Sequence, residues 1–89
     1  MNKKIIAFNW KMKPQSLLQA QTLAHLTQTC ADKNNNTEII IFPPFIYLQN
    51  LKIKNWKLKI GAQNIFWANQ GHYTGEISPK MLKNLGVEY

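Results

Sequence analysis

Runs of β-branched and aliphatic residues alternate along this chain with stretches in which apolar positions recur every three or four residues. Two such runs, 4–10 and 38–42, are largely apolar and are typical of strands buried on both faces of a parallel sheet. Residues 58–63 predict a third strand, and residues 87–89 predict the start of a fourth.

Three helices are predicted between these strands. Residues 16–19 form a Ser-to-Gln capping pattern, and the helix it begins keeps its apolar spacing as far as Ala31. Residues 45–51 predict a short second helix after a double proline. The third is bounded by Ser78, an N-cap followed by proline, and by Gly86, which stands where a left-handed C-terminal residue belongs.

The alternation of strands and helices predicts a single α/β domain over residues 1–89 with right-handed crossovers and a parallel sheet. A length of 89 residues allows no more than one domain. Three strands and the start of a fourth cannot close a barrel, so we expect an open sheet edge and uncovered apolar strand faces.

The composition of the chain excludes several classes of protein. Apolar residues make up 45% of the chain, which is too many for a disordered protein. The longest apolar runs are far too short for a membrane span or a signal-peptide core. A single cysteine, Cys30, excludes an internal disulfide and fits a reducing compartment. Its position on the apolar helical stripe predicts a core residue. We therefore expect a cytoplasmic protein without a membrane partner.

Candidate chemistry first appears at the end of the first strand. Asn9 and Lys11 should point to the same side, with Trp10 on the other. The carboxyl ends of parallel strands form the ligand crevice of α/β folds. An amide beside an ammonium suits an anionic, oxygen-rich small molecule. A strand-ending asparagine and a solvated lysine are the alternative interpretation of the same two residues.

Several strings are more specific than this pair. They are Asn9-Trp10-Lys11-Met12, Pro43-Pro44-Phe45, Ala62-Gln63-Asn64, Tyr73-Thr74-Gly75-Glu76-Ile77-Ser78-Pro79 and Leu85-Gly86-Val87-Glu88-Tyr89. In this order and spacing they closely resemble the amino-terminal third of the triosephosphate isomerase family. The resemblance implies a (β/α)₈ TIM barrel of which only the first three βα units and the start of strand 4 are present.

The family resemblance also implies an activity. Its members are cytoplasmic isomerases of glycolysis and gluconeogenesis that interconvert dihydroxyacetone phosphate and glyceraldehyde 3-phosphate as homodimers, without metal or cofactor. Asn9 and Lys11 match substrate-contacting residues, and Lys11 would stabilise the phosphate and the enediolate-like intermediate. Gln63 and Asn64 match positions that support the active site from below.

Thr74 and Glu76 match the loop that inserts into the partner subunit of the homodimer and helps to shape that subunit's site. Two departures from the family pattern stand out. Lys13-Pro14 replaces the usual Asn-Gly after the first motif, and His72 occupies a position that usually holds a small residue. The second departure puts the fit of the loop in its partner pocket in doubt.

The family's catalytic His and Glu have no match in these residues. The two histidines, His25 and His72, fall in the first helix and in the dimer loop, and neither matches the catalytic position. We therefore expect an inactive, truncated or degraded-gene product that folds poorly.

Two other functions compete with this one. The first is a non-catalytic interaction fragment that complements a carboxyl-terminal part through the open sheet. The second is nucleic-acid binding by Lys52, Lys54, Lys57 and Lys59 around Trp56. A solvated lysine face is favoured over nucleic-acid binding, because all eleven cations are Lys and arginine is absent.

Overall fold

A computed structural model describes residues 3–51 and 55–89. The described elements are strands β1 (Lys4–Asn9), β2 (Thr37–Phe42) and β3 (Lys59–Ile60), and helices α1 (Leu17–Asp32), α2 (Phe45–Leu51) and α3 (Pro79–Asn84). Their order along the chain is the predicted strand–helix alternation. None of the described helices is long and apolar enough to cross a membrane.

The three strands form one parallel sheet in the order β1-β2-β3. The predicted parallel sheet is thus confirmed, but β3 is shorter than the predicted 58–63. Beyond Ile60 the backbone bonds divide between two neighbours: Gly61 donates to the Ile41 carbonyl (2.8 Å), and Ala62 donates to the Tyr89 carbonyl (2.9 Å). Residues 87–89 are not a regular strand, although Glu88 also donates to the Ile60 carbonyl (3.1 Å).

The predicted helix boundaries are confirmed by their caps. The Ser16 hydroxyl accepts the Gln19 N–H at 3.2 Å, and the Ser78 hydroxyl accepts the Met81 N–H at 3.1 Å. Each serine satisfies one of the free N–H groups in the first helical turn. At the end of α3, Gly86 has a φ of 83°, the left-handed conformation that glycine adopts without steric cost.

The core lies between one face of β2 and the two helices that follow β1 and β2. Its largest fully buried side chains include Ile41 of β2 with Leu48 and Leu51 of α2. On α1 the buried residues are small or polar: Ala20, Ala24, Gln28 and Ala31. Three alanines along one stripe let α1 approach the sheet closely. This packing fixes where the carboxyl ends of the strands lie.

Two sequence predictions about burial are wrong. All six residues of β1 are exposed, including Ile5 and Phe8 at 61% and 48%, because the side chains of a strand lie on the faces of the sheet and no β1 residue joins the core cluster among the described residues. Cys30 is also exposed. The buried stripe of α1 runs through its alanines, and Cys30 lies outside it.

Candidate functional site

A candidate site lies at the carboxyl edge of the sheet. Because the strands are parallel, Asn9 at the end of β1, Phe42 at the end of β2 and the residues after β3 reach the same edge. Phe42 is the pairing partner of Asn9, and Gln63 bonds to the carbonyl of Phe42. Polar groups from three parts of the sequence therefore meet at this edge.

A sharp turn after β1 presents Lys11. Its φ is 57°, a left-handed conformation that is uncommon for a residue with a side chain. The Oδ1 atom of Asn9 accepts the Lys11 backbone N–H at 2.8 Å. The Nε2 group of Gln63 donates to the Lys11 carbonyl at 2.7 Å and to the Phe42 carbonyl at 2.7 Å. Side chains from two segments thus hold both backbone polar groups of Lys11 in place.

An open concavity of about 370 Å³ adjoins this turn, lined by Asn9, Trp10, Lys11, Lys13 and Leu23. Asn9 and Lys11 are exposed, whereas Trp10 is only 9% exposed and belongs to the core cluster. Among the described residues, the lining contains two cations and no carboxylate, so it suits an anionic ligand.

The acidic residues do not line this concavity. The chain has four of them, and three have described partners away from the concavity: Asp32 with Gln28 (2.9 Å), Glu38 with Tyr89 (3.2 Å) and Glu88 with Lys59 (3.3 Å). Desolvation and the hydrogen bond to the Glu38 carboxylate raise the pKa of the Tyr89 phenol. The fourth acid, Glu76, lies in the loop before α3. None of the four acids is among the residues that line the concavity.

A second anchor holds the segment that follows the Lys11 turn. The hydroxyl of Tyr47, a buried residue of α2, donates to the Pro14 carbonyl at 2.8 Å. The amide of Gln15 donates to the Met12 carbonyl at 2.8 Å. Tyr47 was not among the residues predicted from the sequence. The available signal was its phenol between the apolar residues Ile46 and Leu48, since a buried phenol normally has a hydrogen-bond partner.

The other predicted site residues lie further along the chain. The Oδ1 atom of Asn64 accepts the adjacent Ile65 N–H at 2.9 Å. Thr74 and Glu76 are exposed in the loop before α3. Across residues 3–51 and 55–89, no hydrogen bond joins either of them to Asn9 or Lys11.

Three aromatic rings pack together in the same loop. The Phe66 and Tyr73 ring centroids are 4.6 Å apart, and those of Trp67 and Tyr73 are 5.6 Å apart. The three rings thus pack against one another within the loop. The outer ring, Trp67, is 79% exposed, so the loop presents an apolar tip.

Two members of the predicted lysine cluster, Lys52 and Lys54, lie outside the described residues. Lys57 donates to the Asn34 carbonyl (3.3 Å) and the Asn35 side chain (3.0 Å), and Lys59 is the partner of Glu88. These two lysines therefore make contacts within the protein.

Comparison with known proteins identifies the family. The family model for triosephosphate isomerase matches residues 4–89. The triosephosphate isomerase of Dictyoglomus turgidum is 41% identical over 91 residues, which cover all of this chain and 36% of that protein. That of Dehalococcoides mccartyi strain BAV1 is 46% identical over 87 residues, covering 96% of this chain and 34% of that protein.

The chain thus spans about a third of the length of the curated relatives it matches. Its parallel sheet with alternating helices corresponds to the first βα units of a TIM barrel. The chain belongs to the triosephosphate isomerase family.

Proposed function

We propose that these residues form the substrate-contacting edge of an enzyme that interconverts dihydroxyacetone phosphate and glyceraldehyde 3-phosphate. The observation that carries the proposal is the Lys11 turn, held by Asn9 and Gln63 beside a concavity with two cations and no carboxylate. A left-handed non-glycine residue is kept only where its surroundings enforce it, and such residues cluster at functional sites. The proposed setting is a cytoplasmic enzyme of glycolysis and gluconeogenesis.

Lys11 and Asn9 have distinct roles in this proposal. The Lys11 ammonium attracts the substrate phosphate and stabilises the negative charge that develops on the enediolate-like intermediate. Asn9 uses its Oδ1 atom to fix the Lys11 backbone, which leaves its NH₂ group as a donor toward the substrate. A turn held in place before the substrate arrives costs little reorganisation of the backbone during the reaction.

Gln63 and Asn64 act as positioning residues. Gln63 joins the ends of β1 and β2 through one amide group, so it keeps Lys11 in register with the sheet. Asn64 orders the first residues after Gln63 through its bond to the Ile65 N–H. Thr74 and Glu76, on the exposed loop before α3, are proposed to contact the second subunit of a homodimer.

The groups that transfer the proton have no counterpart among these 89 residues. A positioned general acid or base typically contributes about 10²- to 10⁴-fold to the rate. A polypeptide of these residues alone should therefore show no isomerase activity. An assay of the purified 89-residue polypeptide tests this, and turnover well above the buffer rate would refute it.

The substrate-contacting role is tested in a chimeric enzyme. In this chimera, residues 1–89 replace the aligned region of the Dictyoglomus turgidum relative, which supplies the rest of the protein. The chimera should isomerise triose phosphates, and Lys11→Met should lower kcat/KM by about 10²-fold or more, as is typical when a group that stabilises developing charge is removed. If the chimera is active and Lys11→Met leaves its kcat/KM unchanged, Lys11 does not contact the substrate.

A second candidate function is non-catalytic complementation of a separate carboxyl-terminal polypeptide. The exposed β1 favours it, because an unpaired strand edge with exposed Ile5, Ile6 and Phe8 is a template for strand addition. Mixing the 89-residue polypeptide with the remaining part of the relative should then restore isomerase activity. If neither activity nor a stable complex appears in the mixture, complementation is refuted.

A further inference from the structure

Lys13 is a second cation beside the proposed substrate site. It lines the same concavity as Asn9 and Lys11, it is exposed, and none of the roles proposed above uses it. Among the described residues it makes no ion pair, since the one salt bridge found there joins Lys59 to Glu88. Its charge is therefore available to a ligand in the concavity.

The backbone on both sides of Lys13 is fixed by bonds from other elements. Upstream, Gln63 holds the Lys11 carbonyl at 2.7 Å. Downstream, Tyr47 of α2 holds the Pro14 carbonyl at 2.8 Å. Only the Lys13 side chain must be ordered when a ligand binds, so the entropic cost of the contact is that of one lysine side chain.

We propose that Lys13 forms, together with Lys11, a two-lysine site for the phosphate group of the substrate. This inference rests on the proposed function and adds to it a specificity-determining residue. A phosphate monoester carries a charge of about −1.5 to −2 at neutral pH, so one ammonium leaves it only partly neutralised. Two lysines that reach the ligand from different backbone positions favour the phosphorylated form of a three-carbon sugar over the neutral sugar.

The expected effect follows from Coulomb's law. A cation about 7 Å from a phosphate of charge about −1.5 to −2 in a water-like medium should change the dissociation constant about fourfold to sevenfold at low salt. At physiological ionic strength the Debye length is about 8 Å, which reduces the effect to about twofold. Loss of the Lys13 charge should therefore weaken binding and also flatten its dependence on salt.

The experiment titrates the 89-residue polypeptide with glycerol 3-phosphate, a stable analogue, and follows the backbone amide resonances of Lys11 and Lys13. Lys13→Gln should raise the dissociation constant by about fourfold to sevenfold at low salt, whereas Lys13→Arg should keep it near the original value. Lys80→Gln on α3 removes the same charge away from the lining residues and is the matched control. Parallel titrations with inorganic phosphate and with glycerol separate recognition of the phosphate from recognition of the carbon chain.

If Lys11→Gln weakens binding but Lys13→Gln does no more than Lys80→Gln, the two-lysine site is wrong and the proposed function stands. If Lys11→Gln is also without effect on binding, or the folded chimera does not bind glycerol 3-phosphate, both the two-lysine site and the proposed function are wrong.

The chimera supplies a second measurement that is independent of how the isolated polypeptide behaves. There, Lys13→Gln should raise KM for dihydroxyacetone phosphate with little change in kcat, since a phosphate contact binds substrate and transition state alike. An unchanged KM would overturn the inference.

Discussion

Gln63 offers a test of how the site is held together. Replacing Gln63 with Leu keeps the side-chain bulk but removes the Nε2 group that bonds to the carbonyls of Lys11 and Phe42, each at 2.7 Å. A hydrogen bond contributes about 0.5–1.5 kcal/mol net. Because Gln63 is exposed, water can reach both carbonyls, and we expect a total loss of about 1–2 kcal/mol.

This loss should weaken ligand binding rather than unfold the protein. The left-handed Lys11 backbone costs about 1 kcal/mol or more by itself, so without Gln63 the turn should relax in a large part of the population. Apparent affinity falls in proportion to the competent fraction. A loss of 1–2 kcal/mol therefore corresponds to an increase of about fivefold to thirtyfold in the dissociation constant for glycerol 3-phosphate.

The matched control is Gln49→Leu, which makes the same replacement at an exposed position on α2. Titration followed by amide resonances measures both variants under one set of conditions. Gln63→Leu should weaken binding by the stated factor and shift the Lys11 amide resonance, whereas Gln49→Leu should do neither. If the two variants bind equally well, Gln63 does not position Lys11.

Three further predictions concern other contacts. The side-chain Oε1 atom of Gln28 accepts the N–H of the buried residue Leu58 at 2.8 Å. Gln28→Leu removes this acceptor and should lower the free energy of unfolding of the chimera, measured in urea, by about 1–3 kcal/mol; a decrease below about 0.3 kcal/mol would contradict this. Tyr47→Phe removes the hydrogen bond from the Tyr47 hydroxyl to the Pro14 carbonyl, next to Lys13. In the chimera this change should raise KM more than it lowers kcat. An equal fall of kcat and kcat/KM would argue against a role of this hydrogen bond in substrate binding. Because the pKa of Tyr89 is raised by desolvation and by Glu38, the folded state keeps the phenolic proton above the pH at which the unfolded chain releases it. The stabilisation of the folded state by the protonated Tyr89 phenol is therefore complete below about pH 10 and is lost as pH rises through the folded pKa. Ultraviolet titration of the Tyr89 phenol should show a lower pKa in Glu38→Gln than in the unmodified chain. Identical titrations would refute the effect of Glu38 on the Tyr89 pKa.

Local chemistry explains how much of the fold could be predicted from the sequence. The Ser16 and Ser78 caps and the Gly86 terminus act through neighbours in the chain, and each is found where the sequence placed it. The parallel sheet also followed from the order of the elements. The exposure of β1 did not follow, because apolar content indicates only that a strand can be buried, whereas burial needs elements packed on the faces of the strand.

The site was only partly predictable. The proximity of Asn9 and Lys11 could be predicted, because two residues at the end of one strand are close in space in any fold. The bond from Gln63 to the Lys11 carbonyl spans 52 positions, and the bond from Tyr47 to Pro14 spans 33. Contacts between residues so far apart in the chain depend on the register of the sheet and on the position of α2 against it. Local sequence patterns do not determine either of these.

We propose that the Lys11 turn contacts the substrate in a triosephosphate isomerase, and an isomerase assay of the chimera with and without Lys11→Met tests this. The unmodified chimera should turn over triose phosphates, and Lys11→Met should lower kcat/KM by about 10²-fold or more. A correctly folded chimera with no turnover, or one whose turnover survives the loss of Lys11, would contradict it.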